Sequence, residues 1–251
     1  MARSEGVVTV TLDRPAKKNA VNDVMWRELL AAFTEVADSS DDRVLVVTGA
    51  GGAFCSGADL SNAGATDRHQ LEVMRGIGDV ALRLHRLAKP TIAKVNGVAA
   101  GAGCNLALGC DLVVASDTAR FSEIFARRGL TIDFGGSWAL PRRIGMHRAK
   151  ELTLLTDIID AAEADRIGLV NRVVADAELD GFVDDWARRL AAGPPIALAQ
   201  SKRLLNNAIG ATLEQALDEE GAAQTVNFST KDTAEAVAAF LDKRDPTFQG
   251  R

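Results

Sequence analysis

The chain has 251 residues, of which 47% are hydrophobic and 25% are charged, and its net charge is −5. This composition is typical of a globular protein that buries a core of its own, and the acidic balance argues against a general nucleic-acid-binding protein. There is no Tyr and there are only three His. Few residues are therefore available for a metal cluster or a catalytic triad, and we expect no metal site.

The cysteines and the apolar segments indicate the compartment. Cys55, Cys104 and Cys110 have no CxxC spacing, so we expect buried free thiols in a reducing environment. The N-terminal residues lack an apolar leader, and no run approaches the roughly 20 apolar residues that span a bilayer. The sequence therefore predicts a soluble, cytoplasmic protein with no membrane partner.

In chain order, strands alternate with helices. Apolar residues that alternate with threonines predict a first strand over 8–12. Asn22 is predicted to cap the helix that follows. The apolar run 44–48 predicts a buried strand, and a helix is expected from about Asp67 to Leu87.

The second half continues this pattern and then changes. Its expected elements are strands at 91–95, 112–115 and 169–174 and a short helix at 106–108. Beyond Pro194, three segments are helical by composition: 196–208, 212–226 and 231–243. We therefore predict an α/β core over 1–193 and a helical C-terminal region over 194–251.

Glycine-rich segments follow two of the predicted strands, at 49–59 and 97–103. Phe54 and Leu106 stand where a dinucleotide fingerprint needs its last glycine, and Ala58 stands where a phosphate-binding loop needs lysine. Two interpretations remain open from the spacing. The glycines either make tight turns beneath helices, or they direct backbone N–H groups towards a developing oxyanion.

Particular motifs carry a family resemblance. Residues 12–22 (LDRPAKKNAVN), 53–60 (AFCSGADL), 95–103 (VNGVAAGAG) and 233–248 resemble the crotonase, or enoyl-CoA hydratase/isomerase, superfamily. The resemblance runs nearly end to end. It implies a spiral of ββα repeats, a helical C-terminal trimerisation region, and assembly as a trimer or as a hexamer made of two trimers.

The resemblance also implies a site. The oxyanion hole is expected from the backbone N–H groups of Ala58 and Ala102, and an acyl-CoA thioester is the expected substrate, with no separate cofactor. The segment expected to line the CoA site consists of Ser56, Gly57, Ala58, Asp59 and Leu60. Lys17, Lys18 and Lys243 are candidate cations for the CoA phosphates, although each is more often a solvated charge.

Departures from the family pattern bear on the reaction. Hydratases of the family hold a water between two glutamates, and the matching positions here are Asn105 and Phe125. The remaining carboxylate is Asp133 in the segment 130–138, which resembles the phenylacetate-pathway isomerases, where this residue moves the proton. A turn or N-cap aspartate is the alternative. We expect Ile132, Phe134 and Trp138 to desolvate Asp133 and raise its pKa.

Several reactions stay open at this point. One carboxylate favours an enoyl-CoA isomerase, with an enoyl-CoA hydratase as the first alternative. A thioester hydrolase or dehalogenase with Asp133 as nucleophile is another, and a non-catalytic CoA-binding subunit is the last. Glu123 is expected to be a solvated or salt-bridged residue at a strand end; if it points inwards instead, it supplies a second carboxylate.

Overall fold

The computed structural model describes residues 1–62 and 68–251. Its strands are β1 (Ala2–Ser4), β2 (Val7–Leu12), β3 (Val44–Gly49), β4 (Ala53–Cys55), β5 (Thr91–Val95), β6 (Val98–Ala100), β7 (Leu112–Ser116), β8 (Arg120–Ser122), β9 (Ile159–Asp160) and β10 (Arg172–Val174). Its helices are α1 (Asp23–Asp38), α2 (Gln70–His85), α3 (Ala102–Gly109), α4 (Gly136–Leu155), α5 (Ala161–Arg166), α6 (Leu179–Ala191), α7 (Pro195–Ala208), α8 (Leu213–Phe228) and α9 (Lys231–Asp242).

The strands form two sheets that are wound together. The larger sheet has the order β1-β2-β3-β5-β7-β10 and the smaller has the order β4-β6-β8-β9. Three consecutive strand pairs repeat one arrangement: β3/β4, β5/β6 and β7/β8. In each pair the first strand belongs to the larger sheet and the second to the smaller sheet, and a helix follows the pair. This arrangement confirms the predicted α/β spiral of ββα repeats.

The centre of the larger sheet is buried on both faces, whereas its edge strand β1 is exposed. Every residue of β3 is buried, as is usual for a central parallel strand covered by helices on both sides. Leu29 and Phe33 of α1 belong to the core cluster on one face. Leu179 and Val183 of α6 pack with Val44 and Val46 on the other face.

Most predicted elements are confirmed. Asn22 caps α1 by accepting a hydrogen bond of 3.0 Å from the N–H of Met25. The helix predicted from Asp67 begins at Gln70 in the structure, and Asp67 lies outside the described residues. The late strand predicted over 169–174 is shorter in the structure, where β10 covers only 172–174. Leu169 and Val170 are buried, but they lie before the strand begins.

The segments read as glycine loops also contain strands. β4 lies within 49–59 and β6 within 97–103, and each is three residues long. Runs this short, made largely of small residues, carry no alternation from which a strand is recognised. These two strands place both segments side by side, because β4 pairs with β6 in parallel.

The C-terminal region is helical as predicted, in α7, α8 and α9. The division of the chain at Pro194 into two units stays a prediction. Within the described ranges, no helix has the length and apolar character needed to cross a bilayer. The cytoplasmic location also stays a prediction.

Candidate active site

A cavity of about 500 Å³ opens where the ends of β4, β6 and β8 meet. Its walls come from segments far apart in sequence. The described residues that line it are Lys18, Ala20, Ser56, Gly57, Ala58, Asp59, Leu60, Val98, Ala99, Ala100, Gly101, Ala102, Arg120, Phe121, Ser122, Ile124, Phe125, Arg128, Leu130, Asp133 and Ile158. The whole segment Ser56–Leu60 predicted for CoA is therefore in this wall.

Two glycines bring the two small-residue segments into contact. Gly57 has φ +101° and Gly101 has φ +53°, which is a region that L side chains rarely adopt. A Cβ atom at Gly57 would lie 2.9 Å from the Ala100 carbonyl oxygen and 3.7 Å from the Ala102 nitrogen. The close approach at Gly57 therefore requires glycine.

Ala58 and Ala102 lie directly after these glycines. Ala58 is held in place because the Val21 N–H donates to the Gly57 carbonyl at 2.8 Å and the Asp59 N–H donates to the Val21 carbonyl at 2.9 Å. Ala102 is the first residue of α3, where a backbone N–H has no acceptor within the helix. Both residues line the same cavity, which is the arrangement that the predicted oxyanion hole requires.

Asp59 is tied to the loop that precedes α1. Its carboxylate accepts hydrogen bonds from the N–H and hydroxyl of Ser61 and pairs with Arg14 at 2.9 Å. These partners lower the pKa of Asp59 to about 2. Sequence reasoning missed Arg14, although it stands in the 12–22 motif that carried the family resemblance.

Asp133 reaches the cavity from the segment between β8 and α4. The residue is half-buried, its Oδ1 atom has no hydrogen-bond partner, and burial raises its pKa to about 6. It does not act as an N-cap, because α4 is capped by Gly135 without a side-chain hydrogen bond. Of the turn or N-cap alternative, the N-cap part is therefore wrong, whereas the turn is present, because the Gly136 N–H donates to the Asp133 carbonyl at 2.9 Å.

The three neighbours predicted to bury Asp133 differ in their own burial, and Ile132 is half-buried against the core cluster. Phe134 is 6% exposed and stacks on Trp26 with ring centroids 5.4 Å apart, so the chain beside Asp133 is firmly packed. Trp138 is 43% exposed and contacts His85 and Arg142 instead. Phe134 thus belongs to the core, whereas the Trp138 ring packs on the surface.

Glu123 corrects a sequence prediction. It was expected on the surface but is 1% exposed, and its Oε2 accepts a hydrogen bond of 3.3 Å from the Asn105 side chain. The reason is local: β8 ends at Ser122 and the chain enters the 3-10 helix Ile124–Arg128, so Glu123 turns towards α3. Burial raises the pKa of Glu123 to about 7.

The two positions that depart from the hydratase pattern differ in the structure. Phe125 lines the cavity. Asn105 is 1% exposed and donates a hydrogen bond of 3.0 Å to the Asp133 backbone carbonyl. Asn105 thus joins the segment that carries Asp133 to Glu123.

The predicted cations are only partly brought together. Lys18 lines the cavity, whereas Lys17 is not among its described lining residues, and the Lys17 carbonyl accepts a hydrogen bond of 3.1 Å from the Ser56 hydroxyl. Lys243 is the C-cap of α9 and does not line the described cavity. Arg120 and Arg128 do line it, and sequence reasoning missed them because neither lies in a motif.

The cysteines are structural, as predicted. Cys55, Cys104 and Cys110 are free and buried. Burial raises the pKa of Cys55 to about 11 and that of Cys110 to about 12, and it raises the pKa of Cys104 as well. Thiols protonated to this degree are poor nucleophiles.

Comparison with known proteins gives the class. The profile of the enoyl-CoA hydratase/isomerase family matches residues 2–251. The chain is 40% identical to a 1,2-epoxyphenylacetyl-CoA isomerase from Escherichia coli, over 98% of this chain and 96% of that protein. It is 37% identical to a short-chain-enoyl-CoA hydratase from Clostridium acetobutylicum, over 95% of this chain and 92% of that protein.

Solved structures agree with the sequence relatives. The enoyl-CoA hydratase from Bacillus anthracis superposes with a TM-score of 0.94 at 33% identity, over 98% of this chain and 96% of that chain. The chain described here belongs to the enoyl-CoA hydratase/isomerase family, which is the crotonase superfamily. It is therefore an enzyme of that superfamily, and its relatives include both isomerases and hydratases.

Proposed function

We propose that this enzyme is an enoyl-CoA isomerase, which moves a C=C double bond by one position along the acyl chain of a CoA thioester. The observation that carries the proposal is the carboxylate inventory of the cavity. Among the described lining residues, the carboxylates are Asp133 and Asp59, and Asp59 is engaged with Arg14 and Ser61. Asp133 is thus the single available base.

The site supplies the elements of a proton shift. The thioester carbonyl oxygen accepts hydrogen bonds from the N–H groups of Ala58 and Ala102, which stabilise an enolate. The Asp133 carboxylate takes a proton from C2 of a 3-enoyl-CoA, and the electron pair of that C–H bond delocalises into the thioester. Asp133 then returns the proton at C4, so the double bond lies between C2 and C3 and the carboxylate is regenerated.

Hydration of 2-enoyl-CoA is the second candidate, because Glu123 points inwards and is a second buried carboxyl group. Two-carboxylate hydration requires both groups to reach the attacking water. Glu123 does not line the described cavity, and Phe125 occupies wall area where a family hydratase has a glutamate. This geometry favours isomerisation over hydration.

The remaining alternatives use the same residues differently. In a hydrolase or dehalogenase, the Asp133 carboxylate attacks the substrate as a nucleophile instead of removing a proton. A CoA-binding subunit without chemistry needs no carboxylate with a raised pKa in the cavity, yet Asp133 has one. A half-buried Asp133 that lines the same cavity as Ala58 and Ala102 therefore supports an enzyme.

The CoA portion of the substrate is assigned to the Ser56–Leu60 wall. Lys18, Arg120 and Arg128 are the cations among the described lining residues, and they are the groups proposed to meet the phosphates. Lys17 stays a candidate of the same strand-to-helix loop. No cofactor is proposed beyond the CoA that the substrate itself carries.

A homotrimer, or two trimers paired as a hexamer, is the proposed assembly. The C-terminal helices leave large apolar side chains uncovered in the single chain, including Leu213 and Phe240, which is 82% exposed. Uncovered apolar surface of this kind usually marks a subunit interface. Lys243 lies near this surface, so its predicted contact with CoA is assigned to the ligand of a neighbouring subunit.

The proposal is tested with three thioesters supplied to the purified protein: a 3-enoyl-CoA, the matching 2-enoyl-CoA and the saturated acyl-CoA. Isomerisation of the 3-enoyl thioester, with slow hydration of the 2-enoyl thioester, is the expected result. Rapid hydration without isomerisation would contradict it. Release of free CoA from the saturated thioester would indicate a hydrolase.

A further inference from the structure

Glu123 is a buried carboxyl group that the proposed proton shift does not use. It lies at the end of β8, and its Oε2 atom accepts a hydrogen bond of 3.3 Å from Asn105 Nδ2. The same Nδ2 atom donates to the Asp133 carbonyl at 3.0 Å. One amide group therefore joins Glu123 to the backbone of the residue proposed as the base.

Three oxygen atoms of this group have no donor. They are Asn105 Oδ1, Glu123 Oε1 and Asp133 Oδ1, all buried. An oxygen that is left without a donor in a protein interior is unfavourable, and two ionised carboxylates bring acceptors only. A proton on Glu123 would convert one of the three acceptors into a donor.

We propose that Glu123 is a positioning residue that works as a neutral carboxylic acid: in its protonated form it holds Asn105, and through Asn105 the Asp133 segment, in the geometry that the proton shift needs. The inference rests on the proposed function of Asp133. Glu123 itself neither contacts the substrate nor exchanges a proton with it.

The surroundings of Glu123 favour the neutral form. The titratable groups that face it are the Cys104 thiol from α3 and the Asp133 carboxylate from the segment before α4, and no cation of the described residues opposes its charge. Burial is the largest influence and raises its pKa, hydrogen bonds from the Cys104 thiol and the Asn105 amide lower it by less, and the Asp133 charge raises it further, so the net shift is upwards. Asp133 has the lower pKa of the two, so its carboxylate is expected to form before that of Glu123 as the pH rises.

Ionisation of Glu123 at higher pH disturbs this arrangement. The new carboxylate attracts the Asn105 amide more strongly and repels the Asp133 carboxylate. Asn105 has little room to adjust, because a Cβ atom built on Gly136 would lie 2.3 Å from its Nδ2 atom. The Asp133 segment is then displaced, and misplacement by about 1 Å costs up to about a hundredfold in rate.

The experiment is the pH profile of kcat for isomerisation of a 3-enoyl-CoA, measured for the wild type, Glu123→Gln, Glu163→Gln and Asp133→Asn. In the wild type, kcat should rise through about pH 6 and fall by more than about tenfold from its optimum by about pH 8.5. Glu123→Gln keeps the amide-to-oxygen contact without an ionisable group. It should retain kcat within about threefold at the optimum and lose the alkaline fall.

The control variant is Glu163→Gln, and two results would contradict the inference. Glu163→Gln makes the same change in an exposed pair with Arg166 and should keep the wild-type profile. An alkaline fall in Glu123→Gln equal to that of the wild type, or a wild type without any fall, would overturn the inference. If Glu123→Gln does not fold, Glu123→Met is used instead; it should also lack the alkaline fall, and its retention there would overturn the inference too.

The same series separates this inference from the proposed function. An Asp133→Asn variant that stays active would contradict the role of Asp133 itself. An inactive Asp133→Asn together with an unchanged alkaline fall in Glu123→Gln would contradict only the role of Glu123.

Discussion

The Asn105 side chain donates a hydrogen bond of 3.0 Å to the backbone carbonyl of Asp133, so helix α3 fixes the segment that carries the proposed base. α3 also begins with Ala102, whose N–H is a proposed oxyanion donor. One short, buried helix therefore determines the distance between the group that takes the proton and the group that stabilises the resulting charge.

This relationship predicts the effect of Gly136→Ala. A Cβ atom at Gly136 would lie 2.3 Å from Asn105 Nδ2 and 2.4 Å from its Oδ1, so the buried amide must move and the bond to Asp133 is lost. We expect kcat to fall about tenfold to a hundredfold. Gly181→Ala is the matched control, because a Cβ atom there meets nothing within 4 Å. Equal kcat values for both variants would show that Asn105 does not position Asp133.

Gly57→Ala tests the oxyanion hole. The substitution forces an L residue to φ +101° and places a Cβ atom 2.9 Å from the Ala100 carbonyl, which displaces the Ala58 N–H. Loss of one oxyanion donor typically lowers kcat by about 10²–10³. The measurement is kcat for a 3-enoyl-CoA at saturation, again beside Gly181→Ala. A change confined to KM would mean that Gly57 serves binding alone.

Glu123→Gln also makes a prediction about stability. The pKa of Glu123 is raised from 4.5 to about 7 in the folded protein, so its stabilising contribution is complete below 4.5 and is lost as the pH rises through about 7. A shift of this size corresponds to about 3 kcal/mol. The free energy of unfolding of the wild type, relative to Glu123→Gln, should therefore fall between about pH 4.5 and 8. If the difference in free energy of unfolding stays constant over this range, folding does not raise the pKa of Glu123 and the prediction is wrong.

The cavity cations predict a binding effect. Arg128→Gln and Lys18→Gln each remove a positive charge from the wall proposed to face the CoA phosphates. We expect KM to rise about threefold to tenfold with kcat unchanged, and the increase to shrink as salt is added, because exposed charges are screened. Arg188→Gln on the outer surface of α6 is the control. An effect on kcat alone would assign these cations to another role.

The α/β architecture could be predicted from the sequence, whereas Ala58 and Ala102 follow from the family resemblance, and their role as oxyanion donors stays a proposal. β3 begins with the apolar run 44–47, and Ala58 and Ala102 each follow a glycine with positive φ. Such local constraints leave a direct trace in the residue types.

The inward orientation of Glu123 could not be recognised from the residue types around it. A glutamate two residues before Phe125 is compatible with either face of the chain, and only the turn into the 3-10 helix after Ser122 directs it inwards. Arg14 was missed for the same reason, since its partner Asp59 lies on a different element. Contacts between distant segments depend on the tertiary structure, which periodicity and spacing do not encode.

The most direct test of the central claim follows a 3-enoyl-CoA in D₂O by NMR with the wild type and with Asp133→Asn. The wild type should convert it to the 2-enoyl isomer and introduce deuterium at the exchanging carbons. Asp133→Asn should slow both processes by about 10²–10⁴, which is the usual contribution of a general base. Isomerisation by a folded Asp133→Asn at a rate within about threefold of the wild type would contradict the account.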